Sequence, residues 1–175
     1  MSATADGKLL AIGEGFAGDV AIWDLQAGRK LNTMRAQSAS LSTLAFSPDG
    51  RWLMTAGQDG PAVARDRAGN PVYGWSVKLW DAASFTQQWM VSFDASSAPC
   101  AALSPDSRQL AVQKSWEAVD VIDVATGMTT GSYAGRDLQP QNHQYSRGDL
   151  AFSADGRLLL QGAQNGVRIW TLPAR

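Results

Sequence analysis

The residues able to do covalent or metal chemistry are few. Cys100 and His143 are the whole stock of thiol and imidazole, so a Cys–His nucleophilic pair would need these two, and a metal site would need carboxylates brought in from elsewhere. Cys100 stands in the apolar run Ala98-Pro99-Cys100-Ala101-Ala102-Leu103, where a thiol behaves as a small inert hydrophobe. His143 stands in the polar stretch Gln139-Pro140-Gln141-Asn142-His143-Gln144-Tyr145 and reads as a solvated loop side chain. Asp6, Asp49, Asp106 and Asp155 look like candidate acids until their shared context is seen. Each sits among small turn-forming residues, the setting of a carboxylate that accepts hydrogen bonds from nearby backbone. The glycine-rich piece Gly13-Glu14-Gly15-Phe16-Ala17-Gly18 lacks the following helix and the Lys-Ser/Thr of a phosphate loop. No catalytic residue, metal or cofactor is therefore expected.

That shared context is an internal repeat. Thr4-Ala5-Asp6-Gly7-Lys8, Ser47-Pro48-Asp49-Gly50-Arg51, Ser104-Pro105-Asp106-Ser107-Arg108 and Ser153-Ala154-Asp155-Gly156-Arg157 recur, with their aspartates 43, 57 and 49 residues apart. Downstream of each comes a second piece: Val20-Ala21-Ile22-Trp23-Asp24, Val77-Lys78-Leu79-Trp80-Asp81, Val119-Asp120-Val121-Ile122-Asp123 and Val167-Arg168-Ile169-Trp170-Thr171. Two signals in one phase define a repeat, whose period of about 43 residues suits one four-stranded unit. The Ser-Pro-Asp-Gly pieces predict tight hairpin turns, and the alternating Val-x-Ile/Leu-Trp pieces predict strands. No stretch carries a sustained helical period. The expected fold is all-β: a single domain over 1–175, with about four antiparallel four-stranded β-propeller blades near 1–35, 41–93, 99–133 and 149–172. The surplus residues fall in two insertions, 61–76 and 136–148.

Composition narrows the partners. The net charge is −1, and 18% of residues are charged against roughly 25% in an average soluble chain. No basic footprint for nucleic acid or anionic membrane is present. The longest apolar runs fall well short of the roughly 18 residues that a membrane helix needs. No export signal is visible in the first residues, where Asp6, Lys8 and Glu14 interrupt any apolar stretch, so a cytoplasmic location is expected.

The repeat resembles the WD40 family, in a style similar to its bacterial members. Trp23-Asp24 and Trp80-Asp81 show the dipeptide that names the family, and Gly57-x-Asp59-Gly60 precedes Val77-Lys78-Leu79-Trp80-Asp81 in the order the family uses. The resemblance implies propeller blades and a non-enzymatic protein-interaction scaffold. It also implies a buried network of Trp, Ser or Thr, a turn Asp and a His from a Gly-His pair. Here the sequence departs, because His143 is the one histidine. Asp59 and Asn165, and less closely Asp19, hold the matching turn position without that partner, and the third unit has Ile122 for Trp and Ser107 for Gly. Trp23, Trp80, Ile122 and Trp170 share one register and are expected in the core, with Asp49 and Asp155 as turn formers.

Family propellers usually close seven or eight blades. Four repeats imply an incomplete, half propeller, completed by further blades of the same polypeptide or by a homodimer. Within a blade of this type the loop between second and third strands emerges on the same face as the link to the next blade, so both insertions belong to one face. They hold Arg65, Arg67, Tyr73 and Trp75, and Arg136, His143, Tyr145 and Arg147. Arg and aromatic residues anchor protein interfaces, which makes these eight the candidate binding residues for a protein partner. The alternative is a fragment of a propeller enzyme or small-ligand sensor with a pocket at the central channel. Of the expected innermost strands, however, only Asp149 supplies an acid.

Overall fold

The computed structural model describes residues 1–14, 18–65, 71–93, 100–115, 118–134, 149–163 and 166–173, with side chains except at 60–65, 71–73, 114–115 and 163. The chain divides into two compact units, Met1–Pro99 and Cys100–Arg175. The described secondary structure is entirely β, and no helix among the described residues is long and apolar enough to cross a membrane.

Unit 1 holds two four-stranded sheets. The first is β1 (Ser2–Ala3), β2 (Leu9–Glu14), β3 (Asp19–Asp24) and β4 (Arg29–Arg35); the second is β5 (Ser40–Phe46), β6 (Trp52–Arg65), β7 (Pro71–Asp81) and β8 (Gln87–Phe93). Unit 2 holds a third sheet of β9 (Ala101–Leu103), β10 (Gln109–Ser115), β11 (Ala118–Asp123) and β12 (Thr129–Ala134), and a three-stranded fourth of β13 (Leu150–Phe152), β14 (Leu158–Ala163) and β15 (Gly166–Thr171). Strands pair antiparallel, and the spatial order within each sheet follows the chain. These are blades of the propeller type.

One turn is built four times from the same atoms. Thr4, Ser47, Ser104 and Ser153 donate their hydroxyls to Asp6, Asp49, Asp106 and Asp155 at 2.7, 2.5, 2.6 and 2.5 Å. Each carboxylate also accepts the backbone N–H two residues on, at 3.0–3.1 Å. Each hydroxyl oxygen in turn accepts the N–H that opens the next strand, from Leu9, Trp52, Gln109 and Leu158. The residue after each Asp is left-handed, with φ of 67° at Gly7, 72° at Gly50 and 69° at Gly156, and Ser107 adopts 60° in the same place. A side chain is costly at such an angle, which explains the glycine in the other three turns.

The register repeats as strictly as the turns. Leu10 pairs with Trp23, Leu53 with Trp80, Leu110 with Ile122 and Leu159 with Trp170. Because side chains alternate across a sheet, equal register gives each blade the same two faces. In unit 1 a leading face of Ala11, Val20, Ile22 and Met34 packs on a trailing face of Phe46, Leu53, Trp80 and Ala82. In unit 2 Ala111, Val119, Val121 and Tyr133 pack on Phe152, Leu159, Trp170 and Leu172 in the same way. The two seams use equivalent positions throughout. Tyr133 and Trp170 meet tilted at 56°, ring centroids 6.3 Å apart. Each fully buried Leu, Ile or Val contributes about 1.5–3 kcal/mol.

Candidate functional site

Within the insertion 61–76, residues 61–65 and 71–76 extend two strands of the sheet. β6 and β7 pair from Trp52↔Asp81 through Asp59↔Gly74 and on to Arg65↔Pro71, with register shifts between Asp59 and Ala62 and between Ala62 and Ala64. The physical reason is local: Ala62-Val63-Ala64 and Val72-Tyr73 flank a polar Asp-Arg-Ala-Gly-Asn connection, so ribbon pairing continues once the blade has ended. Bulges mark where the ribbon leaves the blade.

At that point lies a polar network that sequence reasoning did not find. Trp80 Nε1 donates to Thr55 Oγ1 at 2.9 Å, and Gln37 Nε2 reaches the same oxygen at 3.3 Å. Ser76 Oγ is 3.0 Å from Gln37 Oε1 and 3.3 Å from Asp59 Oδ2. Lys78 Nζ lies 2.8 Å from Asp59 Oδ2 and donates to the Ala36 carbonyl at 3.0 Å. The other carboxylate oxygen of Asp59 accepts the Ser38 N–H at 3.1 Å. Gln37, fully buried, stands where the family resemblance implies histidine, so Asp59 has its network after all. An amide supplies both a donor and an acceptor, which is what a neutral imidazole would supply. Burial alone would raise the Asp59 pKa, but hydrogen bonds from Lys78 and Ser38 and the Lys78 charge outweigh it and hold the carboxyl below its usual range.

This network seats the link 36–39 against the hairpin base. Ala39 N donates to the Gln58 carbonyl at 3.2 Å, and a Cβ on Gly57 would come within 2.0 Å of the Ser40 carbonyl oxygen. Within unit 1, therefore, the blade-to-blade link and the β6–β7 ribbon emerge together. Trp75 sits half-buried at the ribbon base, paired with Gln58 on one side and Phe93 on the other. Arg65 and Tyr73 lie on the ribbon, where the backbone is described but not their side chains. Arg67, Arg136, His143, Tyr145 and Arg147 fall outside the described residues.

The register tryptophans differ in how they are met. Trp80 and Ile122 are buried, whereas Trp23 and Trp170 are half-buried. The strand position that is Thr55 beside Trp80 is Val112 beside Ile122 and Gln161 beside Trp170. In the first sheet it is Ile12, which cannot accept, and Trp23 Nε1 is buried with no hydrogen-bond partner. Asp24, Asp81 and Asp123 each hold the next turn through Oδ1. A cavity of about 440 Å3 in unit 1 is lined by Asp6, Asp24 and Asp49 with Thr4, Lys8 and Leu9. All three carboxylates are already committed to turns, and that of Asp6 is lowered to about 2 by the Thr4 and Lys8 hydrogen bonds. No group of three or more His, Cys, Asp or Glu side chains suited to a metal ion occurs among the described residues. Cys100 is partly exposed and unbridged.

Fold and register together define a protein of repeated propeller-type blades. Comparison with known proteins is consistent with that class. A family model described as eukaryotic translation initiation factor eIF2A matches residues 2–78, the first sheet and the second into β7. Telomerase protein component 1 of Rattus norvegicus is 28% identical over 167 residues, 93% of this chain and 5% of that protein. Centriole proteome protein 16 of Chlamydomonas reinhardtii is 46% identical over 41 residues, 23% of this chain and 2% of that protein. The chain thus spans a small fraction of the length of these curated relatives.

Proposed function

We propose that the chain is a non-enzymatic protein-interaction scaffold, a set of WD40-type blades belonging to a larger propeller or multidomain protein, and that a protein partner docks on the face bearing the β6–β7 ribbon. The observation that carries this reading is the ribbon itself. It pairs on beyond Asp59 and Gly74, where the blade-forming part of the sheet is complete, and it is held at its base by a buried network. A paired ribbon with a half-exposed Trp at its foot and Arg and Tyr along its sequence has the make-up of an interface anchor. The insertion 136–148, with Arg136, His143, Tyr145 and Arg147, is a second recognition segment on this reading. The long relatives support membership in a larger protein. The test is affinity capture with the purified chain as bait, against the variant Arg67→Ala, Trp75→Ala, Tyr145→Ala. The captured partner should be lost while the denaturant midpoint hardly moves; an unaltered captured set would place recognition on another face.

A further inference from the structure

A sheet edge is a row of unused backbone N–H and C=O groups, and native proteins guard such rows with charge, proline or brevity. In unit 1 the outer edge of the first sheet is guarded: β4 carries Arg29, Lys30 and Arg35 among its seven residues. The outer edge of the second sheet is not. β8 reads Gln-Gln-Trp-Met-Val-Ser-Phe, seven residues with no charge, proline or glycine, and β7 is its one neighbour among the described strands. Trp89 through Phe93 pair with Leu79 through Trp75 without a break, the register shift being confined to the first residues of the strand. In unit 2 the corresponding β12 is shorter and has Gly131 in its interior, where a glycine weakens a strand. The β8 edge lies in mid-sequence and within a single sheet. Along it the side chains alternate: Trp89 and Val91 are half-buried on one face, while Gln88, Met90 and Ser92 are exposed on the other, Met90 at 47%.

We infer that β8 pairs antiparallel with β8 of a second copy of this chain, joining two four-stranded sheets edge to edge about a two-fold axis at Met90. The sequence of the strand selects this occupant. Full overlap of two seven-residue strands places the axis at the central residue, so Met90 meets Met90 of the second copy. Trp89 then meets Val91, twice over, and Gln88 meets Ser92. Apolar stands opposite apolar and polar opposite polar, and an aromatic against a β-branched residue is a favourable cross-strand pair. An axis perpendicular to the sheet keeps like faces on one side, so the half-buried row of one copy continues into that of the other. No like charges are brought together. The same operation on β4 would set Arg29 against Arg35, a pair that repels. Once the two edges are used, none is left on β8, and assembly stops at a dimer. This pairing goes beyond the scaffold reading and does not depend on it.

Sedimentation velocity over a concentration series tests the pairing with the intact chain. The wild type should form a discrete dimer. Met90→Lys and Met90→Glu stand at an exposed site that folding tolerates. Each should weaken association at least about tenfold, because the axis sets every new charge against its own copy. An equimolar mixture of the two variants should associate at least about tenfold more tightly than either alone, since Lys then meets Glu. Recovery in the mixture requires both variants to be folded, so loss of fold cannot imitate it. A wild-type chain monomeric at every concentration, a dimer indifferent to both substitutions, or a mixture no better than its components would each overturn the β8 pairing. A monomeric chain that loses a captured protein with Met90→Lys would give β8 to another protein's strand and likewise overturn the second copy.

Discussion

At the scale of single residues, the turn aspartates and Trp80 are structural because their polar atoms are spent locally. Trp80 is the clearest case, buried in the seam of unit 1 with its indole N–H on Thr55. Trp80→Ala should cost about 3–5 kcal/mol in denaturant titration, the usual range for removing a large buried aromatic. A loss below about 1 kcal/mol would mean that the seam is mis-assigned. Asp59 makes unit 1 sensitive to acid in a defined direction. Its folded pKa lies below the ordinary 3.8, so its contribution is present above that value and is lost as pH falls through the lowered one. The stability gap between wild type and Asp59→Asn, measured at neutral pH, should therefore close as pH is taken below 3.8. A gap constant with pH would show that the carboxylate charge plays no part.

At the scale of elements, β6 and β7 do two jobs along one hairpin. From Trp52 to Asp59 and from Gly74 to Asp81 they are blade strands, with Leu53 and Trp80 in the seam. Beyond Asp59 they are an appendage. Replacing residues 60–73 by a two-residue Asn-Gly turn should leave stability within about 1 kcal/mol of wild type, because the blade pairing survives and shortening a loop changes closure entropy only slowly. Partner capture should be lost in the same variant. A large destabilisation would show that the ribbon supports the blade, and would separate it from a recognition role. Phe85 illustrates a different compromise within an element: it is left-handed at φ 56°, where the corresponding turns have Gly28 and Gly127, yet its ring packs on the unit 1 core.

At the scale of the whole molecule, one seam design recurs within each unit: Ala11, Val20 and Ile22 with Phe46, Leu53 and Trp80 in unit 1, and Ala111, Val119 and Val121 with Phe152, Leu159 and Trp170 in unit 2. The fourth sheet differs from the other three in holding three described strands, with β15 paired to β14 alone among them.

The sequence by itself determined the repeat, the four turns and the blade register, because these depend on neighbours a few residues apart. A Ser-x-Asp-Gly turn closes on its own hydroxyl and carboxylate, and period-two alternation sets which side chains share a face. From these, the antiparallel sheets and their order in each unit were legible. Three features were decided only in three dimensions. Gln37 as the stand-in for histidine was invisible because Thr55, Ser76 and Asp59 are brought to it from 18, 39 and 22 positions along the chain, and an amide has no motif of its own. The 61–76 segment became a ribbon because pairing across an insertion depends on both arms meeting in register. The burial of Trp23, Trp80, Ile122 and Trp170 diverged although they share one register, because exposure is set by what lies against a face and not by a strand's own pairing.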